Sequence, residues 1–283
     1  MALSINTNMS SLNAQRRLTF STNTLGKTFE RLSSGLRINR AGDDAAGLSI
    51  STRMTAQIRG ENQAIRNTND AISVTQVAEG ALNETTSALQ RIRELAVQAA
   101  NDTNNSSDRN NLQQEINQLV YEVQRISSQT KFNKLSVLNG SFATKKFQVG
   151  ENGGQTITMS IKAASVRALG VNSLNAKIYS ATGTTAAKMQ SMANSLIAVV
   201  DRALDSVSDI RAMLGAYQNR FEAVIANLSN MVENTSAARS RILDADIAAE
   251  TASLTRNAIL QQAGTAILAQ ANQQPQIALK LLS

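Results

Sequence analysis

The chain has no cysteine, no histidine and no tryptophan, and its 283 residues include a single proline, Pro275. Without cysteine there is no disulfide framework and no thiolate metal site. Without histidine as well, the commonest zinc ligands and the usual neutral-pH general base are missing. The expectation is therefore a protein that is not an enzyme and holds neither metal nor cofactor. Aromatic residues are 3% of the chain, although hydrophobic residues reach 42%, mainly as Ala, Leu, Ile and Val. Small aliphatic side chains suit the thin seam between long helices, where no thick interior needs large rings. The scarcity of proline permits long uninterrupted helices. No stretch approaches the roughly 18 apolar residues of a membrane span. The segment Met1 to Thr7 has neither a charged n-region nor an apolar h-region, so it does not read as a secretory signal peptide. Taken alone this points to the cytoplasm, unless a dedicated export route works without cleavage.

The formal net charge is +7, which raises the question of nucleic acid. Near the start, Arg16, Arg17, Lys27, Arg31, Arg37 and Arg40 outnumber the acid Glu30. These residues stand singly or in one pair, mostly without aromatic neighbours. They read as a solvated or subunit-facing helix surface in preference to a nucleic-acid site.

Helical periodicity organises most of the chain. Ile5, Met9 and Leu12 step by four and three, and Leu18, Leu25 and Leu32 recur every seven, with Phe29 and Leu36 between and beyond. This is an apolar stripe on a polar helix. A linker follows at 38–44, where Asp43 or Asp44 caps a second helix of about 45–100. The paired carboxylates lack a third ligand, so the cap outweighs a metal site. Ile58, Ile65 and Ile72, then Leu82 and Leu89, continue the seven-residue repeat. Gly60 and Gly80 inside it each cost about 1 kcal/mol relative to Ala, so packing must hold this helix. Ser106 or Ser107 is the expected cap of a third helix, about 105–129, whose Leu112, Ile116, Leu119, Val123 and Ile126 form a heptad seam.

Character changes between 130 and 183. Turn signals at Asn139-Gly140 and at 150–154 flank two alternating runs, Phe147–Val149 and Ile157–Ile161, which predict a β-hairpin within about 140–162. A phosphate loop at 150–154 would need a following Lys-Ser/Thr, which is missing. A very long helix is expected over about 185–233, its seam running from Met189 through Leu196, Ile210 and Phe221 to Met231 with one stutter. It would span roughly 70 Å. A polar break at 234–240 precedes a last helix of about 243–282, with Ile247 and Leu254, then Leu260 and Ile267, seven apart. Pro275 is expected to kink or restart it.

The pattern predicts a mainly α fold, an elongated antiparallel helical bundle or coiled coil with a small β-hairpin and paired terminal helices. Neither terminal helix can bury its stripe alone, and an isolated helix of this kind is marginal in water. A membrane surface is the weakest partner, because only Phe20 and Phe29 are aromatic near the start and none lies in the last helix. Mutual pairing plus contact between copies is the strongest. Such head-to-tail contacts need not close into a ring.

Several long motifs carry a resemblance. Ser4-Ile5-Asn6-Thr7-Asn8, the run Glu30 to Asn39 (ERLSSGLRIN) and Asp43-Asp44-Ala45-Ala46-Gly47 resemble the N-terminal signature of bacterial flagellins. Arg239-Ser240-Arg241-Ile242, Asp246, Ile259 to Gly264, Leu268 to Asn272 and Leu281-Leu282 resemble the C-terminal one. The resemblance implies an inner helical core built from 1–43 and 239–283, and an outer rod from 44–238 that lacks the further outer domains of larger flagellins. It implies polymerisation into the extracellular flagellar filament for swimming, with the terminal helices lining the channel. Ile5, Leu12, Leu25, Phe29, Leu32, Leu36, Leu254, Leu260, Ile267, Leu268, Leu279, Leu281 and Leu282 are the expected polymerisation residues. Partners implied are other copies of the chain, an export chaperone and the flagellar type III export apparatus, and hook-associated and cap proteins. A hook-associated junction protein has similar termini and is the alternative; a basic nucleic-acid-binding protein is more distant.

The run Gln90 to Gln98 (QRIRELAVQ) resembles the segment that Toll-like receptor 5 recognises in flagellins, with Glu115 at the matching place on the next helix. The implied recognition residues are Gln90, Arg91, Leu95, Gln98 and Glu115. Leu279, Leu281 and Leu282 resemble the segment sensed by NAIP receptors, and fit filament packing equally well.

Overall fold

The computed structural model describes residues 7–172, 175–179 and 186–282, with side chains from 187 in the fourth helix and up to 273 in the last. The chain is mainly α: α1 (Met9–Ser34), α2 (Ala45–Ala100), α3 (Ser106–Gln129), α4 (Ala186–Leu243) and α5 (Ile247–Leu282). Among the described residues, four short strands lie between α3 and α4: β1 (Lys131–Phe132), β2 (Leu135–Ser136), β3 (Lys145–Gln148) and β4 (Thr156–Met159). The chain divides into two compact units, Met1–Ile58 with Glu233–Ser283, and Arg59–Val232.

The larger unit holds a continuous apolar core. Leu82, Leu89, Ile92 and Leu95 of α2, Ile116 and Val123 of α3, and Leu196, Leu214 and Phe221 of α4 are buried in it. Helix α2 runs antiparallel to α3, since Arg91 pairs with Glu115 while Arg109 reaches the Ala99 carbonyl, and antiparallel to α4, since Arg93 pairs with Asp201 while Gln218 reaches Glu79. The expected hairpin forms, with Lys145 opposite Met159 and Gln148 opposite Thr156. Its Phe147 meets Phe221 edge-on, with ring centroids 6.0 Å apart. Gly60 lets the hairpin tip approach α2: a Cβ there would stand 3.0 Å from the Glu151 Cβ.

Three local differences from the sequence expectation have simple causes. The α3 cap is Asn105, one residue before the expected serines; its side chain accepts the Asp108 N–H while the Asp108 carboxylate accepts the Asn105 N–H. The β1–β2 ladder was not foreseen. Its two-residue turn is Asn133-Lys134, both with positive φ, and a lysine in that role hides the usual Asn-Gly signal. Finally, α4 runs to Leu243, through the polar stretch 234–240. That stretch contains Ala237, Ala238 and Arg239 and no glycine or proline, so polarity alone does not end the helix.

Candidate functional site

The terminal unit is built differently. From Ser11 to Leu32, the buried or half-buried positions of α1 include Ser11, Ala14, Leu18, Ser21, Leu25, Thr28 and Leu32, in steps of three and four, with Thr24, Glu30 and Arg31 half-buried at their edge. On α5 the matching series is Glu250, Leu254, Asn257, Gln261, Gly264, Leu268 and Ala271. These two heptad seams face each other antiparallel. Ser11 Oγ lies 2.7 Å from Asn272 Oδ1, Ser21 Oγ donates to the Asn257 carbonyl at 3.4 Å, and Asn8 Nδ2 donates to the Ala271 carbonyl at 2.7 Å. Small residues bring the backbones together: a Cβ on Gly264 would touch Leu18 at 3.4 Å.

Because the seam is small and partly polar, it leaves large apolar side chains outside it. Met9 is 65% exposed, Phe20 72%, Phe29 55% and Ile267 58%, and Leu12, Ile247, Ile259 and Leu260 are exposed too. Among the described residues, the buried apolar side chains of this unit are Ile38 and Ala271. The expected polymerisation residues therefore separate. Leu25, Leu32, Leu254 and Leu268 sit half-buried at the intramolecular seam, and Leu36 is half-buried in the linker. Leu12, Phe29, Leu260 and Ile267 point outside it. Ile5 and the side chains of Leu279, Leu281 and Leu282 lie outside the described residues. Apolar periodicity alone does not reveal the small polar seam; its signal is the 3–4 spacing of Ser11, Ser21 and Thr28 with Leu18 and Leu25.

The linkers zip the unit together. Gly35 ends α1 with φ +70°, a left-handed cap that glycine adopts without strain. The Arg37 N–H then donates to the Leu243 carbonyl at 2.7 Å, and the Ala245 N–H to the Gly35 carbonyl at 2.9 Å. The Arg37 guanidinium donates to the Ile242 carbonyl. Of the two candidate carboxylates, Asp44 caps α2, accepting the Gly47 N–H at 2.8 Å. Gly47 has to be small, because a Cβ would fall 2.5 Å from Asp44 and 2.7 Å from Ile38. Asp43 instead accepts the N–H groups of Arg40 and Asn39. Those bonds hold its carboxyl below the usual range, assisted by Arg31 and Lys27.

On the larger unit, Arg91 of α2 donates to Glu115 of α3 at 2.9 and 3.0 Å and to Glu94 at 3.0 Å. The hydrogen bonds to Glu115 and then Glu94 push the guanidinium pKa up. Gln90 and Gln98 are exposed beside the pair. Leu95, four residues on, is 1% exposed and belongs to the core. The four-residue spacing puts Leu95 near Arg91 in azimuth, yet Leu95 belongs to the buried core cluster that also holds Ile116 of α3 and Leu196 of α4. Among the described residues no acidic cluster forms a metal site, and no helix is long and apolar enough to cross a membrane.

Residues 5–143 match the family model described as the bacterial flagellin N-terminal helical region, and residues 197–282 match the bacterial flagellin C-terminal helical region. The chain belongs to the bacterial flagellin family. It is 48% identical to a flagellin of Halalkalibacterium halodurans over 98% of this chain and 99% of that protein. It is 44% identical to a flagellin of Bacillus subtilis over 98% and 99%, and 44% identical to flagellin FlaB1 of Treponema pallidum over 98% and 99%. These flagellins align from end to end with this chain, which is a short form. The two flagellin regions contain α1 to α3, most of α4, and α5; the hairpin and the start of α4 fall between them.

Proposed function

We propose that the chain is the structural subunit of a bacterial flagellar filament, extracellular and serving swimming motility, and that its partner is further copies of itself. The observation that supports this most is the terminal unit. It pairs α1 with α5 through small residues and leaves Met9, Phe20, Phe29, Ile259, Leu260 and Ile267 uncovered. A protein that gained nothing from contact between copies would not keep so many large apolar groups in water. The inner core of 1–43 and 239–283 and the outer rod of 44–238 are the functional division we assign. Export without a cleaved leader, through the flagellar type III apparatus and with a chaperone, accompanies this reading, as do hook-associated and cap proteins at the filament ends. The test is seeded polymerisation of purified chain followed by negative-stain microscopy. Full-length protein is expected to form filaments, and a truncation lacking 243–283 is expected to form none while 59–232 stays helical by circular dichroism. Filaments from the truncation would refute the role given to α5.

The finer proposal is that the monomer is a ligand of Toll-like receptor 5. Gln90, Arg91, Gln98 and Glu115 offer an exposed polar face, and Leu95 beneath it holds α2 in place. Arg91→Asp reverses the charge beside Glu115 and Glu94, and is expected to lose most receptor activation by monomer without loss of fold. Unchanged activation would overturn the assignment. We assign Leu279, Leu281 and Leu282 to filament packing as much as to recognition by NAIP receptors.

A further inference from the structure

The sequence contains two Asn-Gly pairs, Asn139-Gly140 and Asn152-Gly153, both in exposed turns. They differ in what surrounds the asparagine carboxamide. The Asn139 Oδ1 accepts two hydrogen bonds from Ser141, from its N–H at 2.9 Å and its hydroxyl at 2.6 Å. That hydroxyl also lies 3.2 Å from the Ser136 carbonyl. Among the described hydrogen bonds, none is donated by the Gly140 N–H, and Gly140 presents no Cβ to shield its nitrogen. At the second pair, the Asn152 carboxamide donates to the Glu151 carboxylate at 3.3 Å, and no described group donates to its oxygen.

We infer that Asn139 is a site of spontaneous deamidation and backbone isomerisation, favoured by the folded turn around it. The Gly140 nitrogen loses its proton to solvent hydroxide and attacks Cγ of Asn139. The N–Cγ bond forms and Oδ1 gathers negative charge; Nδ2 then takes a proton from water, the Cγ=O bond re-forms, and the Cγ–Nδ2 bond breaks with loss of ammonia, the hydroxide being regenerated. Water opens the resulting succinimide at either carbonyl, giving aspartate or isoaspartate. Two donors already aimed at Oδ1 stabilise the charge developing there, as an oxyanion hole does. Asn152 has no such donors, and the neighbouring carboxylate disfavours an added negative charge.

The position gives the reaction a structural consequence. Leu138 and Phe142 flank the turn and are buried. The Leu138 carbonyl accepts from Ala164 N–H and Ser127 Oγ, and the Phe142 carbonyl accepts from Ile161 N–H. Isoaspartate inserts one carbon into the main chain between these two anchors, so they cannot both keep their places. The modification thus marks aged subunits and loosens the layer over α3.

Peptide mapping by mass spectrometry, with isoaspartyl methyltransferase labelling, tests this on the full chain. Native protein and protein in urea are incubated at mildly alkaline pH. Conversion at Asn139 relative to Asn152 is expected to be higher in the native protein than in urea, where both turns are lost. Ser141→Ala is expected to slow conversion at Asn139 in the native protein by about threefold or more. It should leave Asn152 unaffected and change nothing in urea; Ser141→Thr, which keeps the hydroxyl, should restore the rate. Equal ratios in the two conditions, or a native Asn139 slower than Asn152, would overturn the inference.

Discussion

The two units put similar helices to opposite uses. In 59–232, most large apolar side chains turn inward: Phe221, Leu82, Leu89, Ile92 and Leu196 are fully buried, while Tyr121 and Leu135 are exposed. In the terminal unit, the largest apolar side chains stay in water and serines and a threonine take the buried seam positions, as Ser11, Ser21 and Thr28 show. Burial of a large apolar side chain contributes about 1.5–3 kcal/mol. The larger unit collects that energy within one molecule. The terminal unit leaves it to be collected on association, and what holds it meanwhile is a polar seam and the backbone hydrogen bonds of its linkers. The difference teaches that an exposed apolar residue in this chain is to be read by the unit it lies in.

The contrast can be broken in three places. Phe221→Ala removes a buried ring that packs against Phe147 and Tyr217, and is expected to lower the stability of the larger unit by about 3–5 kcal/mol. A urea titration followed by circular dichroism measures it. Phe29→Ser should change monomer stability by no more than about 0.5 kcal/mol. If Phe29 is covered on polymerisation, the same substitution removes about 1.5–3 kcal/mol per contact. The critical concentration in seeded assembly should then rise about ten- to a hundredfold. A large effect on the monomer, or none on assembly, would erase the distinction between the units.

The smallest effect concerns Asp43. Its folded carboxyl is held below the ordinary value of 3.8. Its support for the linker is thus fully present above that pH and is lost as pH falls through the lowered value. Hydrogen exchange at the Asn39 and Arg40 amides should slow with rising pH relative to the intrinsic rate across that window. In Asp43→Asn this carboxylate-dependent protection should vanish.

Much of the fold was legible because long helices advertise themselves locally. The heptads of α3 and α4 are written in apolar residues, and most of each seam lies in or against the core, although Met231 at the end of the α4 seam is exposed. The hairpin was legible from alternation between turn glycines. The β1–β2 turn was not, since Asn133-Lys134 resembles any polar pair until its φ angles are known. The end of α4 is not legible from polarity, because the polar residues of 234–240 continue the helix to Leu243. At the candidate surfaces, Arg91 and Glu115 lie twenty-four positions apart, and the family resemblance set them side by side where periodicity could not. The fate of Leu95, next to them in the motif and yet buried, depended on which neighbours cover α2.

By itself the sequence determined that this chain forms long helices with amphipathic ends, because helical period, the scarcity of proline and the capping residues act within a few positions of one another. Only the tertiary structure decided which face of each terminal helix is spent inside the molecule. Ser11, Ser21 and Thr28 occupy that face because small side chains let α1 and α5 approach closely enough to exchange hydrogen bonds with Asn257 and Asn272. The larger, greasier residues are thereby excluded from the seam and left on the outside. That outcome depends on the fit between two segments more than two hundred residues apart, and neither segment carries it alone.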